Sequence, residues 1–153
     1  MQLGFDRMVA AMDALAPGLG MPVIAQTGRG SYVPKHMEAR PKIAPAEFET
    51  LMREARLIVS HAGIGTVLTA ARCGRPVVLL PRRADLGEHR NDHQMATVRN
   101  LGGRTGILIA MDEGELGARI AEGLALQEKA MVQSGTSRQL HSALAAFIEN
   151  RAF

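Results

Sequence analysis

The sequence predicts an α/β fold, a Rossmann-like parallel sheet with helices on both faces. Two observations carry this. Short apolar runs alternate along the chain with segments in which apolar residues recur at helical spacing, the pattern of successive βα units. The clearest unit, Leu57 to Leu80, is strand, helix and strand joined by connections of a few residues, and strands packed so closely in sequence are parallel and covered on both faces.

The elements follow in order. Phe5, Met8, Val9, Met12 and Leu15 fall on one helical face, and Pro17-Gly18 with Gly20 are expected to end that helix. "PVIAQT", Pro22 to Thr27, reads as a strand, "GRGSYVP" as a turn-rich connection, and "HMEARPKI" contains a short strand ending near Ile43. A helix is predicted from Pro45 to Ala55. Strand Leu57 to Ser60, helix Gly63 to Cys73 capped by Gly74, and strand Pro76 to Leu80 form the βαβ unit. The loop "PRRADLGEHRN" leads to a helix from Asp92 to Leu101, then to the apolar "GILIA", a helix opened by Asp112, and a final helix from Ser137 to Asn150. No repeat, low-complexity tract or second domain interrupts residues 1–153.

Composition narrows the function. At 153 residues the chain has the length of one domain, too short for two nucleotide-fold lobes, so chemistry that needs two lobes needs a partner. A charged fraction of 22% with 46% hydrophobic residues is that of a globular protein and argues against disorder. The net charge of +3 suits an anionic ligand, but the basic residues form no tract, and aromatics at 3% leave no base-stacking platform, so nucleic acid is not an expected partner. The single cysteine, Cys73, fits a reducing compartment and reads as a buried, inert thiol. Neither a membrane span nor a signal peptide is apparent, which predicts a cytoplasmic protein.

Two segments carry chemistry. Ser60 to Gly65, "SHAGIG", lies at the carboxyl end of a strand where the next helix begins, the place where open parallel sheets bind ligands. Gly63 and Gly65 leave the backbone open, the first amides and the dipole of the helix favour an anion, and the Thr66 hydroxyl adds a donor, so a phosphate or diphosphate fits. A small-residue turn that lets helix and strand pack tightly explains the same glycines. The second segment, "PRRADLGEHRNDHQ", follows the next strand and ends on the same rim. Arg82, Arg83 and Arg90 suit phosphate or carboxylate, and Asp92, His93 and Gln94 offer the mixed donors and acceptors that sugar hydroxyls require; a charged surface loop is the alternative. His89 and His93 stand four apart, but the acidic residues around them are unlike a closed zinc site, and no metal or cofactor is expected. His61 is titratable and stands at the site, a general base or a structural histidine.

"VSHAGIGT" after a strand, then "GRPVVLLPRR", then "LGEHRNDHQ" resemble, in order and spacing, the C-terminal domain of glycosyltransferase family 28. The likeness covers roughly residues 2 to 110. Within the family the chain resembles the small donor-binding subunits of two-part bacterial exopolysaccharide glycosyltransferases and the catalytic subunit of the dolichol-linked UDP-N-acetylglucosamine transferase. The resemblance implies the C-terminal half of a GT-B glycosyltransferase, a hexosyltransferase that takes a UDP-sugar donor and acts on a lipid-linked acceptor in surface polysaccharide synthesis. A membrane-anchored partner subunit would supply the acceptor lobe and hold the chain at the inner face of the membrane. By motif position, Gly63, Ile64, Gly65 and Thr66, with Arg82 and Arg83, would hold the diphosphate. Asp92, His93 and Gln94 would contact the donor sugar, and Ile43 would lie near uracil. Gly28 and Gly30 match a family loop, and a plain turn accounts for them as well.

The chain departs from the family pattern twice. Thr69 stands where many members carry a glutamate that binds the ribose. Relatives also place a strand of the type "IFVTVGTQ" before "FDRMV", whereas here "MQLG" precedes it, so the family's first, central strand is expected to be missing and the sheet incomplete. Two other readings remain at this level. A nucleotide-sugar-binding module that regulates a partner transferase without catalysing would carry the same motifs. A dinucleotide-dependent oxidoreductase would need a G-x-G-x-x-G turn after a first strand and an acidic residue about twenty positions on, which this chain lacks.

Overall fold

The computed structural model describes residues 3–132. Helix α1 (Asp6–Leu19) is followed by β1 (Ile24–Gln26), β2 (Glu38–Arg40), α2 (Pro45–Glu54), β3 (Ile58–His61), α3 (Ile64–Arg72), β4 (Val77–Leu80), α4 (His93–Leu101), β5 (Ile107–Ile109) and α5 (Leu116–Val132). All strand pairs are parallel. Ile58 stands opposite Val77, Val77 opposite Ile107, and Ile24 opposite Glu38.

Strand β4 organises the interior because, among the described residues, it is the only strand of its sheet paired on both edges, and all four of its residues are buried. Successive side chains of a strand point to opposite faces. Val77 and Leu79 accordingly join Met52 of α2, Val67, Ala70 and Ala71 of α3, and Val98 and Leu101 of α4. Val78 and Leu80 join Phe5, Met12 of α1, and Leu116 and Ile120 of α5. Helices therefore cover both faces, as the alternation of elements predicts.

The sheet is in two pieces, β1–β2 and β3–β4–β5. The doubly wound order 3-2-1-4-5-6 explains the break. Counting one more strand ahead of β1, the two pieces are its strands 3-2 and 4-5-6, and the break falls at the position of the first. Among the described residues, β1 and β3 each retain one edge without a strand partner. Among the described residues the sheet is divided at that position.

Several boundaries differ from the sequence reading. Helix α1 does not stop before Pro17 but runs through it to Leu19 and closes on Gly20 in the left-handed conformation, φ 64°. Proline lacks the N–H that would reach the carbonyl of Asp13, and so close to the end of the helix that single lost bond is tolerated. Strand β2 ends at Arg40, so Ile43 lies three residues beyond it in the connection to α2, half-buried. Asp112 caps a 3-10 turn, Glu113–Glu115, accepting from the Gly114 N–H at 2.9 Å, and α5 begins only after that turn. Cys73 is half-buried and packs against the edge of the core instead of lying within it. The helix predicted from Ser137 to Asn150 lies outside the described residues.

Candidate functional site

The site begins where β3 ends. Ala62 and Gly63 connect β3 to α3, and Gly63, the N-cap residue, is extended at φ −86° and ψ 130° and caps with no side chain. The first turn of α3 therefore presents the N–H groups of Ile64, Gly65 and Thr66 with no protein partner among the described residues, as the first amides of a helix do unless something outside it accepts from them.

The two glycines of "HAGIGT" have different reasons. A methyl group on Gly63 would collide with the His61 ring, its position 3.0 Å from Nδ1, so this glycine is where the imidazole lies against the backbone. A methyl group on Gly65 would meet nothing within 4 Å, and no positive φ requires glycine there. Glycine inside a helix costs about 1 kcal/mol relative to alanine. The packing of this chain gives no return for that cost, and the glycine with open space at its missing side chain stands among the free amides.

Gln94 joins the two predicted segments. It comes from the first turn of α4, is 7% exposed, and its Oε1 accepts from the Ala62 N–H at 3.1 Å and from the Arg82 N–H at 2.9 Å. One side chain thus ties the residue after β3 to the loop after β4. Its Nε2 lies 2.9 Å from His61 Nδ1. Residues 33 positions apart meet here, and the convergence of both loops on one rim is a structural fact.

An arginine outside either segment holds the second loop. Arg7, in the first turn of α1, grips Glu88 with two bonds, Nε to Oε1 at 2.8 Å and the terminal nitrogen to Oε2 at 2.9 Å. It also donates to the Pro81 carbonyl at 3.0 Å and to Glu113 at 2.9 Å. Glu88 in turn accepts from the Arg83 N–H at 3.0 Å. The hydrogen bond to Glu88 holds the Arg7 proton more tightly than usual, outweighing the opposing effect of burial.

The predicted anion-binding arginines turn toward the protein. Arg82 donates to the carbonyls of Gly4 at 2.9 Å and Glu88 at 3.2 Å, with its guanidinium 4.6 Å from the Phe5 ring centre. Arg83 makes a two-bond pair with Asp85, at 3.0 and 2.6 Å, on the exposed side of the loop. Asp92 accepts from the Ala84 N–H at 3.3 Å, and the His93 N–H is held by the Asn91 side chain at 3.1 Å, leaving the His93 ring exposed. Thr69 donates to the Gly65 carbonyl at 3.0 Å, so its hydroxyl is tied to its own helix, whereas among the described residues no protein group engages the Thr66 hydroxyl. Arg90 is exposed, and Ile43 lies in the loop before α2.

The family model for the glycosyltransferase family 28 C-terminal domain matches residues 5–146. The chain belongs to this family. Among solved structures it is similar to one described as the glycotransferase of kitacinnamycin, at 20% identity and a TM-score of 0.64. That match covers 98% of this chain and 40% of the other, so the family 28 domain spans well under half of its structural neighbour and shares its fold.

Electrostatics at the rim of this glycosyltransferase domain set the state of His61. Burial lowers its pKa first, and the positive charge of Arg82 lowers it further. An imidazole so placed is neutral at pH 7. Arg7, Glu113 and Asp13 have no role assigned by the sequence, although each takes part in a contact that holds a loop. Asp13 had a legible signal, a charged residue one position from Met12 on a helix otherwise ruled by its apolar face. Arg7 had none, because its partner Glu88 is 81 positions away. Among the described residues no helix is long and apolar enough to cross a membrane, and no three His, Cys, Asp or Glu side chains gather as a metal would require.

Proposed function

We propose that this domain binds a UDP-sugar with its diphosphate at the first turn of α3 and delivers the sugar to a lipid-linked acceptor held by a membrane-anchored partner lobe, in surface polysaccharide synthesis. The observation that carries the reading is Gly65, a helical glycine with nothing within 4 Å of its missing side chain, beside the unpartnered amides of Ile64, Gly65 and Thr66. Together they make an open anion cradle. Family membership supplies the class of ligand.

In this reading the transferred sugar leaves the diphosphate by displacement at its anomeric carbon. The charge that develops on the leaving group is met by the three amides, the helix dipole and the Thr66 hydroxyl. Asp92 and the exposed His93 stand on the second loop, where the sugar would lie, and Gln94 retains one amide hydrogen with which to reach a hydroxyl. Arg82 and Arg83 act on the diphosphate only after releasing the acceptors they now hold. Thr69 and Ile43 are assigned to the nucleoside by motif position, with the Thr69 hydroxyl a weaker clamp on ribose than a carboxylate.

Gly65→Asp tests the cradle. Aspartate in the first turn of a helix is favoured, so the fold should persist by circular dichroism while UDP affinity falls at least tenfold by calorimetry. Unchanged affinity would remove the site. Transfer from labelled UDP-sugars in the presence of the partner lobe separates a catalytic subunit from a binding module.

A further inference from the structure

The Gln94 amide has only one physically acceptable orientation. Its Oε1 accepts from two main-chain N–H groups, those of Ala62 and Arg82, at 3.1 and 2.9 Å. Exchanging the oxygen and nitrogen would set an NH2 group against two donors and leave both N–H groups unsatisfied on a buried side chain, a cost of about 1–3 kcal/mol for each. The amide nitrogen therefore faces His61, and at 2.9 Å from Nδ1 it donates. Nδ1 must then carry a lone pair. In a neutral imidazole with a bare Nδ1, the proton is on Nε2.

The ring is held in place as well as in state. It lies against Gly63, the N-cap residue of α3, where a side chain would collide with it, and Nε2 has no partner among the described residues. Protonating Nδ1 would aim an N–H at the N–H of Gln94. That opposition acts in the same direction as burial and the charge of Arg82. Only a reversed amide offering its oxygen would favour the cation, and that rotamer forfeits the bonds to Ala62 and Arg82.

We propose that Gln94 is a positioning residue that fixes His61 as the Nε2–H tautomer, so that the ring presents a hydrogen-bond donor beside the first turn of α3. The consequence rests on the donor-binding reading above: His61 adds a fourth N–H to an anion site and is not the base that activates an acceptor. The alternatives left open by the sequence, general base or structural histidine, are replaced by a third.

Nitrogen-15 spectra of the full chain with labelled histidine test the assignment. The expected result at pH 7 is a bare, pyridine-type Nδ1 and a protonated, pyrrole-type Nε2 for His61. Gln94→Glu preserves an oxygen for the two N–H groups but turns the second oxygen toward Nδ1, so the proton should move to Nδ1 and the ring should titrate at higher pH than in the wild type. A wild-type ring protonated on Nδ1, or a folded Gln94→Glu variant with an unchanged His61 signature, would overturn the proposal. If that variant does not fold, the wild-type spectrum decides alone. UDP titration of the wild type is a separate readout: absence of binding defeats the donor reading, whereas the nitrogen spectrum alone decides the tautomer.

Discussion

The two pieces of the sheet use the same parallel pairing and are held by different forces. In β3–β4–β5 the central strand is covered on both faces and paired on both edges, and Val78, Leu79 and Leu80 are wholly inaccessible. In β1–β2 every side chain is exposed or half-buried, and Ile24 is 39% exposed. What fastens the smaller piece is polar. Asp13, buried on α1, accepts from the N–H groups of Lys35 and His36 and from the Tyr32 hydroxyl, and Asp6 accepts from the N–H groups of Ser31 and Tyr32. Two carboxylates of one helix thus staple the connection between β1 and β2. A two-stranded pair with exposed side chains buries little apolar surface, and directed hydrogen bonds take over.

If that contrast is right, truncating the two pieces should have very different effects. Leu79→Ala, in β4, should destabilise by about 4 kcal/mol, because the cavity lies between helices on a sealed face and cannot collapse. Ile24→Ala, in β1, should cost about 1 kcal/mol or less, since much of the side chain is already in water. Chemical denaturation of both variants gives the comparison directly. Equal losses would show that β1 is as much a part of the core as β4.

A second experiment addresses the break. Extending the chain ahead of Leu3 with an apolar strand able to pair with both β1 and β3 should stabilise it by on the order of 3 kcal/mol. This is the surplus of apolar burial at about 25 cal/mol per Å² over ordering at about 1–2 kcal/mol per residue. Exchange of the β1 amides should slow at the same time. An unchanged melting temperature would mean that the edges of β1 and β3 do not accept a common strand.

The smallest effect concerns the staple itself. Burial would raise the Asp13 pKa, but the N–H groups of Lys35 and His36 and the Tyr32 hydroxyl more than offset it, and the net value is lowered. A carboxyl with a lower pKa folded than unfolded stabilises the fold above the unfolded value, near 4, and that contribution is lost as pH falls through the folded value. Asp13→Asn should therefore reduce stability at neutral pH, blunt its loss in acid, and speed amide exchange at residues 31–36 while leaving β4 protected. Uniform loss of protection across both pieces would argue that the staple supports the whole fold.

The sequence by itself determined the elements and the locality of the site. Hydrophobic period distinguishes strand from helix within a few residues, and the βαβ unit from Leu57 to Leu80 is legible because its strands are joined by short connections. The motif at Ser60–Thr66 is equally local, since a helix start and its free amides are a property of contiguous residues. Only the tertiary structure decided what depends on distant partners. Gln94 bridging Ala62 and Arg82, Arg7 gripping Glu88, and the separate reasons for Gly63 and Gly65 are contacts across the fold or the absence of one. The end of β2 at Arg40 and the passage of α1 through Pro17 have the same cause. Propensity sets where an element can end, but the neighbours available to satisfy its backbone and bury its side chains set where it does.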